Sequence, residues 1–140
     1  MKNKKKQYKN GGLIMITHKE WEAIKDQFVG TMNYFKVFPS MYVTDGVKAM
    51  CDKLECYWLI SELFAYREQV FNYGLIVAKI KVFKDKVAWI EITDGNYNKL
   101  AATRIPYTDM PEGEYEIWMQ PTSLMNTQNP VVICMLPSEY

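Results

Sequence analysis

The chain has 140 residues, 49% hydrophobic and 24% charged, with a net charge of +1, so it is one domain that can bury a core without staples. The weak overall charge excludes both the basic excess of a general nucleic-acid binder and the acidity of a nucleic-acid mimic, leaving room only for a local patch. Three Cys without a close Cys-x-x-Cys pair, no secretory apolar region and no run near the roughly 18 apolar residues that span a bilayer point to a reduced, cytoplasmic protein, away from membranes.

Aromatic residues reach 14%, with ten Tyr and four Trp. They fit an aromatic-rich core, and they also fit a partner-binding face, because aromatics bring large contact area at little entropic cost. Residues 1–14 read as a flexible basic tail, polar and without apolar periodicity. Lys4, Lys5, Lys6 and Lys9, with Lys2, are its candidate nucleic-acid contacts. Asn10-Gly11-Gly12 ahead of Met15 also matches a translated, purine-rich ribosome-binding sequence, so the biological start is Met1 or Met15. A single α+β domain is expected over 15–140.

Thr17-His18-Lys19-Glu20 fits a capping box, and Trp21, Ile24, Lys25 and Phe28 follow on one helical face until Gly30. Residues 31–43 are aromatic and β-prone but carry Pro39, so they read as a loop with a short strand near 34–38. Thr44 or Asp45 caps the next helix, with Val47, Met50, Cys51 and Leu54 on one face. A break at Glu55-Cys56 precedes a second segment carrying Ile60, Leu63, Phe64, Arg67 and Phe71. Asn72-Tyr73-Gly74 ends it.

From Leu75 the period changes from 3.6 to 2. Ile76, Ala78, Ile80 and Val82 alternate with Val77, Lys79, Lys81 and Phe83. Turns at Lys84-Asp85-Lys86 and Asp94-Gly95-Asn96 separate strands at 87–93 and 100–107. Two further strands are expected at 115–119 and 131–136, with a polar loop over 120–130. The pattern predicts an α+β fold, N-terminal helices packed on one face of an antiparallel four- to five-stranded meander sheet. The other face would carry Lys79, Lys81, Glu91 and Arg104.

Catalytic chemistry has little support. His18, the one histidine, sits in a helix cap, on a turn expected to be exposed, whereas a nucleophile needs a base beside it. Cys51, Cys56 and Cys134 cannot complete a four-ligand zinc site, and Cys51 lies on an apolar stripe, so core packing is the reading. Asp45, Asp94 and Asp109 each follow a Thr. Converged, they would bind Mg²⁺ or Ca²⁺ and support a metal-dependent enzyme; as turn and cap residues they need no other role. No glycine loop for phosphate is present. Neither a cofactor nor a catalytic residue is expected.

The ordered pieces Tyr42-Val43-Thr44-Asp45-Gly46-Val47-Lys48, Tyr57-Trp58-Leu59-Ile60, Asp94-Gly95-Asn96, Tyr107-Thr108-Asp109-Met110-Pro111 and Leu136-Pro137-Ser138-Glu139-Tyr140 resemble a small bacterial and phage domain family of unknown function. The similarity runs from about Phe28 to Tyr140, departing at Met110, where the family more often has Phe. It carries over no catalytic residue and implies the company of phages, plasmids and other mobile elements. By analogy, it implies stoichiometric binding, including inhibition of a host-defence nucleoprotein in the manner of an anti-CRISPR. The expected partner is a bacterial protein or nucleoprotein complex. The candidate partner-binding residues are Tyr34, Phe35, Lys79, Lys81, Trp89, Arg104 and Trp118, with metal-dependent catalysis through the three Asp and nucleic-acid binding through the tail as alternatives.

Overall fold

The computed structural model describes residues 15–124 and 128–140, together with the backbone of 8–9 and 12–13. Two short strands, β1 (Tyr8–Lys9) and β2 (Gly12–Leu13), pair antiparallel. Lys2, Lys4, Lys5 and Lys6 lie outside the described residues, as does the Lys9 side chain. The expected capping box forms: Thr17 Oγ1 accepts from the Glu20 amide at 3.0 Å, and Glu20 Oε1 accepts from the Thr17 amide at 2.9 Å. It starts α1 (His18–Ile24), which continues as a 3₁₀ turn over Lys25–Gln27. Trp21 points into the core.

The short strand expected near 34–38 forms as β3 (Tyr34–Phe38), and part of the stretch expected to be loop is a second strand, β4 (Met41–Thr44), paired with it antiparallel. Pro39 occupies the turn, where no ladder amide is needed, so it separates two strands rather than abolishing them. Thr44 then caps α2 (Asp45–Leu54) by accepting from the Val47 amide at 3.3 Å. The expected break falls at Glu55, in the left-handed region at φ 51°. A second break was not anticipated, and α3 (Tyr57–Phe64) and α4 (Arg67–Tyr73) are separate. Arg67 lies over the Phe64 ring at 4.3 Å and donates to the Phe64 carbonyl at 3.2 Å. A side chain thus meets a carbonyl freed where α3 stops.

The remaining strands are β5 (Ile76–Val82), β6 (Ala88–Asp94), β7 (Lys99–Ile105), β8 (Gly113–Thr122) and β9 (Val131–Met135). With β3 and β4 they form one seven-stranded sheet in the order β3-β4-β9-β8-β5-β6-β7. The α+β class holds, but the sheet is neither four- to five-stranded nor an antiparallel meander. β8 returns across the hairpin of β5 and β6 to pair with β5, and β9 pairs parallel with β4. The strand β8 also runs into the stretch expected to be loop. By Pro121 it has passed the start of β5, so its β5 side is free and the missing proline amide breaks no ladder bond.

The helices and the inner face of the sheet bury the main core, including Leu54, Leu59, Ile60, Leu63, Ile80, Ile90 and Ile117. Strand β9 lies inside the sheet with all five residues buried, which accounts for its unbroken apolar run. Its Val131, Ile133 and Met135 face the other way and pack with Tyr42, Trp118 and Leu124. No helix among the described residues is long and apolar enough to cross a membrane.

Candidate binding face

The alternation in β5 places Lys79 and Lys81 on the face away from the helices, and the strand registers supply their neighbours. One cross-strand row reads Glu116, Lys79, Glu91, Ala102; the next reads Glu114, Lys81, Trp89, Arg104. Residues directly opposite on one sheet face contact each other, so each lysine stands between a glutamate on β8 and either Glu91 or Trp89 on β6. The ion pairs are open to solvent: Lys81 to Glu114 at 3.9 Å and Lys99 to Glu91 at 3.6 Å. Pairs of this kind contribute about 0–1 kcal/mol. Lys79 lies 5.9 Å from the Tyr97 ring and Lys81 5.1 Å from the Phe83 ring.

Trp89 is 44% exposed and stands between two cations in its row, Lys81 and Arg104. This face borders a groove of about 690 Å³ whose floor includes Lys79, Lys81, Trp89, Glu91 and Ala102. One wall is α1 and the turn after it, through Glu22, Lys25 and Asp26, with Pro137 and Ser138. The wall exists because β9 stops at Met135, opposite Trp118, leaving β8 from Gly113 to Ile117 without a strand on that side. There α1 docks, with His18 Nε2 3.1 Å from the Glu114 carbonyl oxygen and the imidazole edge-on to Tyr115 at 5.0 Å. His18 is therefore a half-buried clasp rather than a residue on an exposed turn.

Of the sequence-predicted residues, the structure brings Lys79, Lys81, Trp89 and Arg104 together. Trp118 is close by, half-buried, donating to Glu116 and T-stacked on Tyr140 at 5.0 Å. Tyr34 and Phe35 sit on β3 at the opposite edge of the sheet, and the Phe35 ring lies under Lys48. Glu114 and Glu116 were missed. Their period-2 spacing matches that of Lys79 and Lys81, but only the register shows that the two pairs oppose.

The three Asp are kept apart. Asp45 accepts from the Met32 and Asn33 amides, both at 3.0 Å, and from Asn33 Nδ2 at 3.2 Å. Desolvation is the largest single influence on its carboxyl and opposes ionisation, but the three hydrogen bonds together hold its pKa below the usual value. Asp94 accepts from Asn98 Nδ2 and from the Asn98 and Asn96 amides, which lower its pKa. Asp109 accepts from the Tyr107 hydroxyl at 2.6 Å and raises the pKa of that phenol. Asp94 ends β6 beside Ile76, while the segment holding Asp109 leaves the other end of the sheet, beyond Ile105 and Ala88. Seven-residue strands separate those ends by roughly 20 Å. Among the described residues no three His, Cys, Asp or Glu side chains gather as a metal-ligand set.

Cys51, Cys56 and Cys134 are free and buried. The Cys56 pKa is raised by its contact with Cys51 and by burial, and burial raises that of Cys134. A thiol held protonated is a poor nucleophile and metal ligand.

Glu139 was also missed. Its carboxylate accepts from Thr44 Oγ1 at 2.6 Å and from the Gly46 and Leu136 amides, both at 2.9 Å. Two of the distant pieces that carry the resemblance thus meet at the start of α2. Neither curated proteins nor solved structures contain a match to the chain. A family model matches residues 21–140, that of a family of unknown function (DUF6876), and the chain belongs to that family.

Proposed function

We propose that the chain acts by stoichiometric binding of a protein or nucleoprotein partner through the outer face of β5, β6, β7 and β8. The observation that carries this reading is Trp89, exposed between Lys81 and Arg104 beside a groove. Interface energy concentrates in Trp and Arg anchors ringed by polar contacts. Following the implied company of mobile elements, the proposed setting is a bacterial cell and the partner a component of a host-defence complex, inhibited in the manner of an anti-CRISPR.

The charge pattern favours a protein surface over nucleic acid as the group met by this face. Affinity for a phosphate backbone comes largely from Lys and Arg charge that neutralises phosphates, whereas Lys79 and Lys81 each have a glutamate directly opposite. A polypeptide can match alternating charges residue by residue, and such matching sets orientation and excludes wrong partners.

The test mixes the purified chain with candidate defence effectors and follows complex formation by size exclusion. The expected result is a one-to-one complex, at least tenfold weaker for Trp89→Ala, the loss expected of an anchor. Inhibition by the chain at substoichiometric, turnover-like amounts would sink the reading.

A further inference from the structure

We infer that β7 is a docking edge for an extended, acidic segment of the partner protein, which adds to the sheet as a further strand beside Arg104. The inference rests on the binding reading above and names the partner's chemistry. Among the described residues β7 pairs with β6 alone and ends the sheet. A strand paired on one side directs alternate amides and carbonyls away from its neighbour. No residue of β7 is buried, whereas Ala88, Ile90, Ile92 and Thr93 of β6 are. The middle of β7 is Ala101-Ala102-Thr103, small enough for another backbone to reach the ~4.8 Å spacing of a sheet.

The ladder with β6 is regular from Ala101 to Ile105, its one irregularity lying at the Lys99 end. The other edge of the sheet differs. Strand β3 has five residues and a register shift between Lys36 and Phe38, a usual way of blunting an edge against pairing.

Charge selects the occupant. On the outer face β7 presents Lys99 and Arg104 on either side of Ala102. Across the ladder Arg104 meets Trp89 rather than a carboxylate. A carboxylate on an added strand, opposite Arg104, would continue the row Glu114, Lys81, Trp89, Arg104, and an apolar side chain opposite Ala102 would lie beside the indole. A second copy of this chain is a poorer occupant. Paired antiparallel about Ala102, it would bring Lys99 of one copy close to Arg104 of the other, a like-charge pair.

The probe is a labelled eight-residue peptide, Glu-Thr-Val-Thr-Glu-Thr-Val-Thr, whose Glu and Val share one face of an extended strand, tested on the full chain beside a Lys-for-Glu version and a version N-methylated at alternate amides. Expected are saturable binding of the acidic peptide, at least tenfold weaker binding of both other peptides, and slowed amide exchange within residues 100–105. Arg104→Glu and Arg104→Gln should each weaken the acidic peptide, with Arg104→Glu gaining the basic one and melting temperatures unchanged. No saturable binding up to about 1 mM, equal binding of the basic or N-methylated peptide, or unprotected β7 amides would overturn the inference. So would β7 protection that rises with protein concentration alone, which identifies a second copy as the occupant. A Trp89-dependent partner complex without any of these β7 effects removes the strand addition and leaves the binding reading standing.

Discussion

Glu139 and Thr44, 95 residues apart, are joined by a hydroxyl-to-carboxylate hydrogen bond of 2.6 Å. The same carboxylate accepts from the Gly46 and Leu136 amides, so the last turn of the chain completes the cap of α2. A negative charge at a helix N-terminus also meets the favourable end of the helix dipole. Removing the acceptor leaves three donors unmet in a site that is 8% exposed at Glu139. Glu139→Ala should cost about 2–4 kcal/mol, and Glu139→Gln, which keeps one acceptor oxygen, about 1–2 kcal/mol. Urea unfolding checks both; a loss under about 0.5 kcal/mol for Glu139→Ala would contradict the cap.

Gly46 makes the same joint testable from the other side. A Cβ built there lies 2.6 Å from Glu139 Oε1 and 2.7 Å from Leu136 Cδ1. Ala is favoured over Gly in a helix by about 1 kcal/mol, but overpacking of a closed site costs about 1–3 kcal/mol. The clash wins in this position, so Gly46→Ala should destabilise. Combined with Glu139→Ala, the same substitution should cost less or even stabilise, a reversal measurable as a double-mutant cycle.

How much of this was legible follows from how local each signal is. The Thr17–Glu20 box, the apolar faces of α1 to α3 and the alternation of Lys79 and Lys81 are spacing effects, and they hold. The second helix break lacks such a signal, because the Arg67 contact with Phe64 is made only once the chain has turned. Pro39 read as an interruption because a proline in a strand and a proline between two strands look alike in one sequence. The parallel pairing of β4 with β9 joins segments about ninety residues apart, and no local pattern encodes it. The candidate face divides the same way. Period 2 placed Lys79, Lys81 and Arg104 on one side, but the opposing Glu114 and Glu116 and the grouping with Trp89 depend on register.

The buried cysteines give a chemical prediction. Cys56 and Cys134 have raised pKa values, through the Cys51 contact and burial for the first and burial for the second. At pH 8 the native chain, whose three thiols are free and buried, should react with a thiol-disulfide reagent far more slowly than the urea-unfolded chain, in which all three are open to the reagent. Rapid labelling of one native thiol would point to an accessible thiolate that the geometry does not contain.

Asp94 makes the acid side of the stability curve readable. Its pKa is lowered, chiefly by the Asn98 side-chain amide and then by the Asn98 main-chain amide. A carboxyl whose folded pKa lies below its unfolded value binds more protons unfolded, so its contribution is present above about pH 4 and is lost as pH falls through the folded pKa. Asp94→Asn should therefore lower the urea midpoint at pH 7 and reduce the further loss between pH 5 and pH 3. An acid limb with an unchanged slope would show that the turn does not depend on the charge.

The clasp of α1 onto β8 predicts a rescue. Gly113 has φ +150°, and a Cβ built on it lies 2.3 Å from His18 Cδ2. The ring cannot retreat freely, since it is edge-on to Tyr115 and within hydrogen-bond reach of the Glu114 carbonyl. Gly113→Ala should push α1 away from β8, destabilise by about 1–3 kcal/mol and let water reach Trp21, now 2% exposed. His18→Ala opens the space that the new methyl needs. The double variant should therefore be more stable than Gly113→Ala alone, retaining only the backbone cost of a non-glycine residue at that φ. Tryptophan fluorescence and urea unfolding follow both changes together. If His18→Ala adds its own loss to that of Gly113→Ala, the clash is not what Gly113 relieves, and α1 is held to β8 by Trp21 rather than by the imidazole.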